Sequence, residues 1–464
     1  MILSRRTVIA GTAALPFIGT SARAAGPVTV RVDAGKSLGV LAPDYMGLGF
    51  EISSVAVAGL LSAANHTYVR LVRNLGRQGV IRIGGNTSDF SRYDARGTAV
   101  SEPKATVVTE ANLRELRTFV DTVGWKLIWG LNLGDDKLDN AVEQARAVAN
   151  IMGDRLLALE VGNEPDLFPR SGHRGPDYGY PAWFADYRRY KQAIRSVLPH
   201  VPFAGPDLAG ATDWMEQFAR DESDAVLLTA HHYITGQANP AATIDTMLAN
   251  NTKYDSVLAR FQAAAENARK PWRMCETASF SGGGRQGVSD TFAAALWALD
   301  YLFVLAEHGC AGVNMETGVN HLGWISHYTP IGDDLHGNYS AAPEYYGLLA
   351  FAQMPKGELV AVNCETGGIN FTAHALRKGK ETCVALINKD LHQGADVTIT
   401  TGAMIRAPRL MNMSARTDRI TLADAYVGSD GRWGGMPEHF RAAADDAVRL
   451  GVGPASATLV WLEI

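Results

Sequence analysis

Between residues 45 and 320 one pattern recurs eight times: a short run of β-favouring apolar residues, then a longer stretch or loop. The runs are Tyr45–Ile52, Val80–Gly84, Trp125–Asn132, Leu156–Gly162, Phe203–Pro206, Val226–Tyr233, Trp272–Glu276 and Gly312–Met315. Between them, Glu110–Val123, Leu138–Ile151, Trp183–Leu198 and Ser289–Glu307 carry apolar residues at three- and four-residue spacing, the period of a helix with one buried stripe. Alternating strands and helices predict a parallel sheet covered by helices. Eight repeats favour a closed (β/α)8 barrel over an open doubly wound sheet.

The flanks lose the helical period. Pro27–Val40 and the chain beyond Gly357 read as strands, at Glu358–Asn363, Gly368–His374, Thr382–Asn388, Asp396–Thr401, Ala403–Leu410 and Ala457–Ile464. Turn signals such as Gly367-Gly368, Asp430-Gly431 and Gly434-Gly435 separate them. The expected organisation is an α/β barrel over residues 43–356 and an accessory C-terminal β-sandwich over 357–464. The N-terminal strand, within 25–42, joins that sandwich.

With 464 residues, 47% hydrophobic and 20% charged, the chain has the composition of a globular protein rather than a disordered or disulfide-scaffold one. Its length suits one large domain and a second of about 100 residues. A net charge of −5 recruits neither nucleic acid nor an anionic membrane as a bulk partner. Residues 1–24 read as a twin-arginine-type export signal, giving a periplasmic or secreted protein. Arg5-Arg6 precedes a moderately apolar run from Val8 to Ile18, and Ala22-Arg23-Ala24 supplies a cleavage site. That run is too short for a transmembrane helix, and no other segment reads as spanning, so the mature form has no expected membrane partner. Nothing in the sequence sets the oligomeric state. Cys275, Cys310, Cys364 and Cys383 contain no C-x-x-C. That argues against a zinc or redox site, and for Cys364 and Cys383 both a disulfide and free thiols stay open.

Several chemistries fall away. Gly35-Lys36-Ser37 lacks the first glycine of a phosphate loop, Gly47-Leu48-Gly49 lacks the last glycine of a dinucleotide fingerprint, and no G-x-S-x-G elbow occurs. His231-His232 is the one tight histidine pair. Neighbours on a strand point to opposite faces and cannot share a metal, so neither metal nor cofactor is expected. The strongest signal is the apolar run Leu156–Leu159 leading through Glu160 into Asn163-Glu164-Pro165. It puts Glu164 where a barrel strand ends, and those ends face the active site. Glu276 ends the seventh run in the same way, pointing across the same mouth. Two close carboxylates cannot both ionise cheaply, so one becomes an acid while the other stays charged. That division suits glycosidic cleavage. Glu316, after the eighth run, is a third carboxylate suited to a supporting role. Glu51, Gly84-Gly85-Asn86, Asp207, His231, His232 and Tyr233 stand at other strand ends and form a polar rim suited to sugar hydroxyls.

The Asn163-Glu164-Pro165 motif with Glu276 resembles the clan A retaining glycoside hydrolases. Three stretches narrow the likeness: Arg82-Ile-Gly-Gly-Asn86-Thr-Ser-Asp89-Phe90, Ala230-His231-His232-Tyr233, and Glu276-Thr-Ala-Ser-Phe-Ser-Gly282-Gly283-Gly284 running on to Ser289–Ala294. They resemble family 79, the heparanase and β-glucuronidase family, from about Gly47 to Leu349. The resemblance implies that Glu164 is the acid/base and Glu276 the nucleophile. It implies Asn163 on the sugar 2-hydroxyl, Glu51 on ring hydroxyls with Asn86 in the corresponding second-strand turn, and Tyr233 orienting the nucleophile; Asn86 and, from the polar rim, His232 are expected among the substrate contacts. Gly282, Gly283 and Tyr328 would hold the substrate carboxylate. One position departs from the family: Ser281, with Phe280 ahead of it, stands where members carry tyrosine.

The expected activity is therefore that of an exported retaining exo-β-glucuronidase acting on a carbohydrate that contains glucuronic acid. A heparanase-like endo-acting enzyme is the nearest alternative, because dispersed basics such as Arg170, Arg174 and Arg188-Arg189 form no row for a sulfated chain. A non-catalytic carbohydrate-binding barrel and a metal-dependent hydrolase are the alternatives of other classes.

Overall fold

The computed structural model describes residues 27–97, 105–249, 252–318, 325–416, 419–441 and 446–464; the export signal read at 1–24 lies outside them. Eight parallel strands form the central sheet: β1 (Met46–Glu51), β2 (Val80–Gly84), β3 (Lys126–Leu131), β4 (Leu156–Val161), β5 (Ala204–Leu208), β6 (Leu227–Gly236), β7 (Trp272–Ser281) and β8 (Val313–Glu316). They pair in the order β4-β3-β2-β1-β8-β7-β6-β5. A parallel bridge between Leu159 and Phe203, with the Leu159 N–H donating to the Pro202 carbonyl at 2.9 Å, nearly closes the ring between β4 and β5. All eight runs are strands of one (β/α)8 barrel.

The covering helices obey local rules. Helix Glu110–Val123 starts at a capping box in which the Thr109 hydroxyl accepts from the Asn112 N–H and the Asn112 side chain accepts from the Thr109 N–H. It stops at Gly124, which takes the left-handed conformation (φ 82°). Its buried stripe is Leu113, Leu116, Phe119, Val120 and Val123.

Inside the barrel, Val80, Ile128, Ala158, Ala204 and Cys275 form one small apolar layer. Side chains alternate along a strand, so the next inward positions on β2 and β4 are Arg82 and Glu160. Both are fully buried, as are Asp207 on β5 and Glu316 on β8. The mouth therefore stands on a layer of buried charge rather than on branched aliphatics.

The accessory domain is one ten-stranded sheet in which strand Pro27–Val40 pairs antiparallel with Glu358–Glu365 and parallel with Ala395–Thr400. One face encloses its own core of Val30, Val384, Val397, Val448 and Val460. On the other, Leu376, Cys383, Ala385, Leu459 and Trp461 join the barrel's core. The run read at Ala403–Leu410 forms later, at Arg406–Arg416, and Ala447–Val452 adds a strand that the apolar pattern did not single out. All four cysteines are free. Strand Phe371–Lys378 separates the strands of Cys364 and Cys383, so the disulfide alternative falls.

An ionic latch ties the sheet to helix Phe292–Glu307. His374 Nδ1 lies 2.7 Å from Glu307 Oε1 and its Nε2 2.9 Å from Asp300 Oδ1, while Lys389 Nζ donates to Asp300 Oδ2 at 2.7 Å. Burial disfavours the imidazolium, but the two carboxylates outweigh it and raise the His374 pKa from 6.5 to about 9. The latch is complete below the ordinary histidine value and is lost as pH rises through about 9. The thermal midpoint should therefore fall from neutral pH to about pH 10, and His374→Asn should flatten that fall while costing about 3 kcal/mol at neutral pH. An equally steep fall in the variant would contradict the assignment.

Candidate active site

The end of β4 is strained where chemistry is expected. Glu164 takes the left-handed conformation (φ 50°, ψ 53°), which costs a residue with a Cβ about 1–3 kcal/mol. The bend is held from both sides: the Glu164 N–H donates to the Asp207 carbonyl at 2.9 Å, and its own carbonyl accepts from Leu167 at 2.8 Å. Asp166 accepts three backbone N–H groups, from Ala209, Gly210 and Ala211, each at 3.0 Å. Asp89 accepts those of Leu133, Gly134 and Asn163. Two carboxylates thus pin together the loops that follow β2, β3, β4 and β5. On β7 the pairing register slips between Met274 and Glu276, a bulge that re-aims the glutamate.

Arg82 organises the layer beneath the mouth. Its Nη1 donates to Glu276 Oε2 at 2.7 Å, and its Nη2 to Asp207 Oδ2 at 2.5 Å and to Asn163 Oδ1 at 2.8 Å. Its Nε donates to Glu160 Oε2 at 3.2 Å. The guanidinium folds back over Gly84, where a Cβ would lie 2.3 Å from its Cζ. Gly85, with φ 72°, makes the turn under Glu51. The second Glu276 oxygen accepts from Tyr233 Oη at 2.8 Å. Both oxygens of that carboxylate thus face hydrogen-bond donors.

His231 links the two sides. Its Nδ1 lies 3.0 Å from Glu164 Oε1 and its Nε2 2.7 Å from Asp207 Oδ1. Burial disfavours the cation, but Asp207 and Glu276 outweigh it and raise its pKa well above the ordinary value, so both nitrogens donate. For Asp207, burial is outweighed by Arg82 and His231, which hold it at about 2. Glu164 is raised by burial and by Glu276 against the pull of His231. Burial and Glu276 raise Glu51 to about 7. One oxygen of Glu164, one of Glu276 and a nitrogen of His231 all lie within 4.8 Å of one another. The pair is therefore a carboxyl with a raised pKa beside a carboxylate clamped by Arg82 and Tyr233. Two clusters have metal-ligand spacing among the described residues, Glu164–His231–Glu276 and Glu160–Asp207–Cys275. A histidine cation occupies the first and the Arg82 guanidinium bonds two members of the second.

Most of the expected residues meet here. Glu51 accepts from the Thr87 N–H and hydroxyl at 2.8 and 2.6 Å and from the Asn86 N–H at 3.2 Å, and Asn163 Nδ2 reaches Asn86 Oδ1 at 3.5 Å. The glycine loop lies against the Tyr328 segment: the His327 N–H donates to the Gly283 carbonyl at 2.6 Å, Gln237 donates to the Gly282 carbonyl, and the Tyr328 ring lies 6.1 Å from that of Tyr233. His232 is the exception. It faces outward from β6, stacked at 3.7 Å on Tyr254 with its Nδ1 3.2 Å from Tyr301 Oη, because the neighbours on either side of it point in. It takes no part in the mouth. Arg82 was visible only inside a motif, and His231 and Asp207 only as rim residues. The signal for all three was a charged or polar side chain at an inward strand position.

No family model matches the chain. It is similar to the beta-glucuronidase of Aspergillus niger, 27% identical over 347 residues (66% of this chain, 63% of that protein). It is also similar to the beta-glucuronidase of Neurospora crassa, 27% over 359 residues (66% and 62%), and to bovine (Bos taurus) heparanase, 25% over 261 residues (52% and 44%). The chain spans less than two thirds of the length of the curated relatives it matches. Among solved structures, a 4-O-alpha-L-rhamnosyl-beta-D-glucuronidase from Fusarium oxysporum 12S shares the fold with a TM-score of 0.74 at 20% identity, over 93% of this chain and 99% of that one. A GH51 arabinofuranosidase from Xanthomonas axonopodis pv. citri does so at 0.69 and 16%, over 94% and 100%. By its sequence relatives and its barrel, the chain is similar to the family 79-like glycosidases of clan A.

Proposed function

We propose that the protein is a retaining exo-β-glucuronidase that releases terminal glucuronic acid by double displacement. The observation that carries this reading is the approach of Glu164 and Glu276 to within 4.8 Å, in keeping with the roughly 5–5.5 Å carboxyl separation of retaining enzymes. Glu276, its charge held by Arg82 and Tyr233, attacks the anomeric carbon while Glu164 gives its proton to the leaving oxygen. The Glu276 ester that forms has lost its negative charge, which removes the repulsion that raised Glu164 and leaves His231 to favour its ionised form. Glu164 then takes a proton from the water that displaces the sugar. Asn163, Asn86 and Glu51 contact ring hydroxyls, and Gly282, Gly283 and Tyr328 grip the carboxylate.

Exo action is favoured because two of the dispersed basic residues, Arg174 and Arg189, are engaged within the protein. Arg174 bonds the carbonyls of Leu133, Gly134 and His173, and Arg189 pairs with Asp136 and Asp186. Export through a twin-arginine route rests on Arg5-Arg6; replacing both by lysine should retain the protein in the cytoplasm, and unchanged export would refute that route. A panel of aryl glucuronide, galacturonide, glucoside and xyloside tests the substrate, with the glucuronide expected to be turned over fastest. Preference for a neutral sugar would overturn the uronate assignment.

The pH profile tests the acid/base. Activity should decline as pH rises through the elevated pKa of Glu164. Asp207→Asn removes the carboxylate that keeps His231 charged and so should move that alkaline limb upward by about one unit. A downward shift would contradict the role given to His231.

A further inference from the structure

The end of β8 carries a carboxyl that this reaction scheme does not use. Glu316 is 2% exposed, and its Oε2 is enclosed with no hydrogen-bond partner among the described residues. The β8–β1 register sets Glu316 opposite Gly49, and the carboxyl fills the space above that glycine, where a Cβ would lie 2.4 Å from Oε2. Gly49 and Glu51 share the inward face of β1. The Glu316 carboxyl therefore lies at the floor of the mouth, one step below Glu51. The charged and titratable groups around it are Glu276 on β7, Glu51 on β1, Arg82 on β2, His231 and Tyr233 on β6, Tyr328, and Tyr68 on helix His66–Asn74. Burial first, then Glu276 and Glu51, push the Glu316 carboxyl well above the carboxylate range. A carboxyl held un-ionised is a hydrogen-bond donor.

We propose that Glu316 is a specificity-determining residue that donates its O–H, alongside Tyr328, to the carboxylate of the bound sugar. The proposal rests on the glucuronidase reading and deepens it. An ionised side chain at this place would add negative charge beside Glu276 and repel a uronate. An undissociated acid instead gives an anion a charge-assisted hydrogen bond. A neutral sugar offers no such partner.

The test is steady-state kinetics on an aryl glucuronide with wild type, Glu316→Ala and Glu316→Gln across acid to mildly alkaline pH, with glucuronic acid and glucose as competitive inhibitors. Glu316→Ala should raise KM for the glucuronide and Ki for glucuronic acid about tenfold, with kcat and the Ki for glucose changed less than about threefold. Glu316→Gln keeps a donor that cannot ionise. It should hold KM near the wild-type value at acid pH and lose the wild type's rise in KM with pH. An unchanged Ki for glucuronic acid in Glu316→Ala, or equal rises for both sugars, would overturn the proposal. If Glu316→Ala does not fold, a KM that climbs with pH in Glu316→Gln as it does in wild type would overturn it alone. Preference of the wild type for a neutral glycoside is read before any variant is made and sinks the glucuronidase reading instead.

Discussion

Glu276→Gln should lower kcat on an aryl glucuronide by on the order of 10⁴-fold or more, a loss of about 5.5 kcal/mol of transition-state stabilisation. The amide has the shape of the carboxylate but is not a nucleophile, so the glycosyl-enzyme cannot form. KM should change far less, because the sugar is held mainly by other groups. The fold should persist, since Arg82 keeps Asp207 as a buried counter-charge at 2.5 Å. The checks are kcat, KM and the thermal midpoint measured on one preparation. Turnover near the wild-type rate would remove Glu276 from the role of nucleophile.

Arg82→Met should be nearly as damaging to activity and much more so to stability. Arg82 is buried with Asp207 and Glu276 on its two amino groups and Glu160 on its Nε. Methionine fills part of the volume but leaves three buried carboxylates to share the His231 cation, which costs about 3–5 kcal/mol. With Glu276 no longer oriented, kcat/KM should fall by about 10³-fold. Arg82→Lys should lie in between, because one ammonium cannot span four acceptors set at the angles of a planar guanidinium. Urea unfolding and kcat/KM on the three proteins give both readouts, and a Met variant with wild-type stability would contradict the place assigned to Arg82.

Much of the barrel was legible because its strands are short apolar runs and its helices carry one buried stripe. Glu164 and Glu276 were legible for the same reason: each is a carboxylate at the end of an otherwise apolar strand. Arg82 was harder. Its partners Glu160, Asn163, Asp207 and Glu276 come from three other strands, and only closure of the ring makes them neighbours. His232 shows the opposite case. The alternation that excludes a metal shared by His231 and His232 also excludes both from one mouth, and Tyr233 shares its side with His231. The possible Cys364–Cys383 bridge failed on strand order, which depends on long-range pairing that local pattern does not carry.

Intact-mass and peptide mass spectrometry after incubation with a 2-deoxy-2-fluoro-β-glucuronosyl fluoride, whose glycosyl-enzyme hydrolyses slowly, bears most directly on the pair of carboxylates. The account predicts one added fluoroglucuronosyl group per chain, carried by the peptide containing Glu276. A label on another residue, or an unlabelled protein that releases product of inverted anomeric configuration from a good substrate, would contradict it.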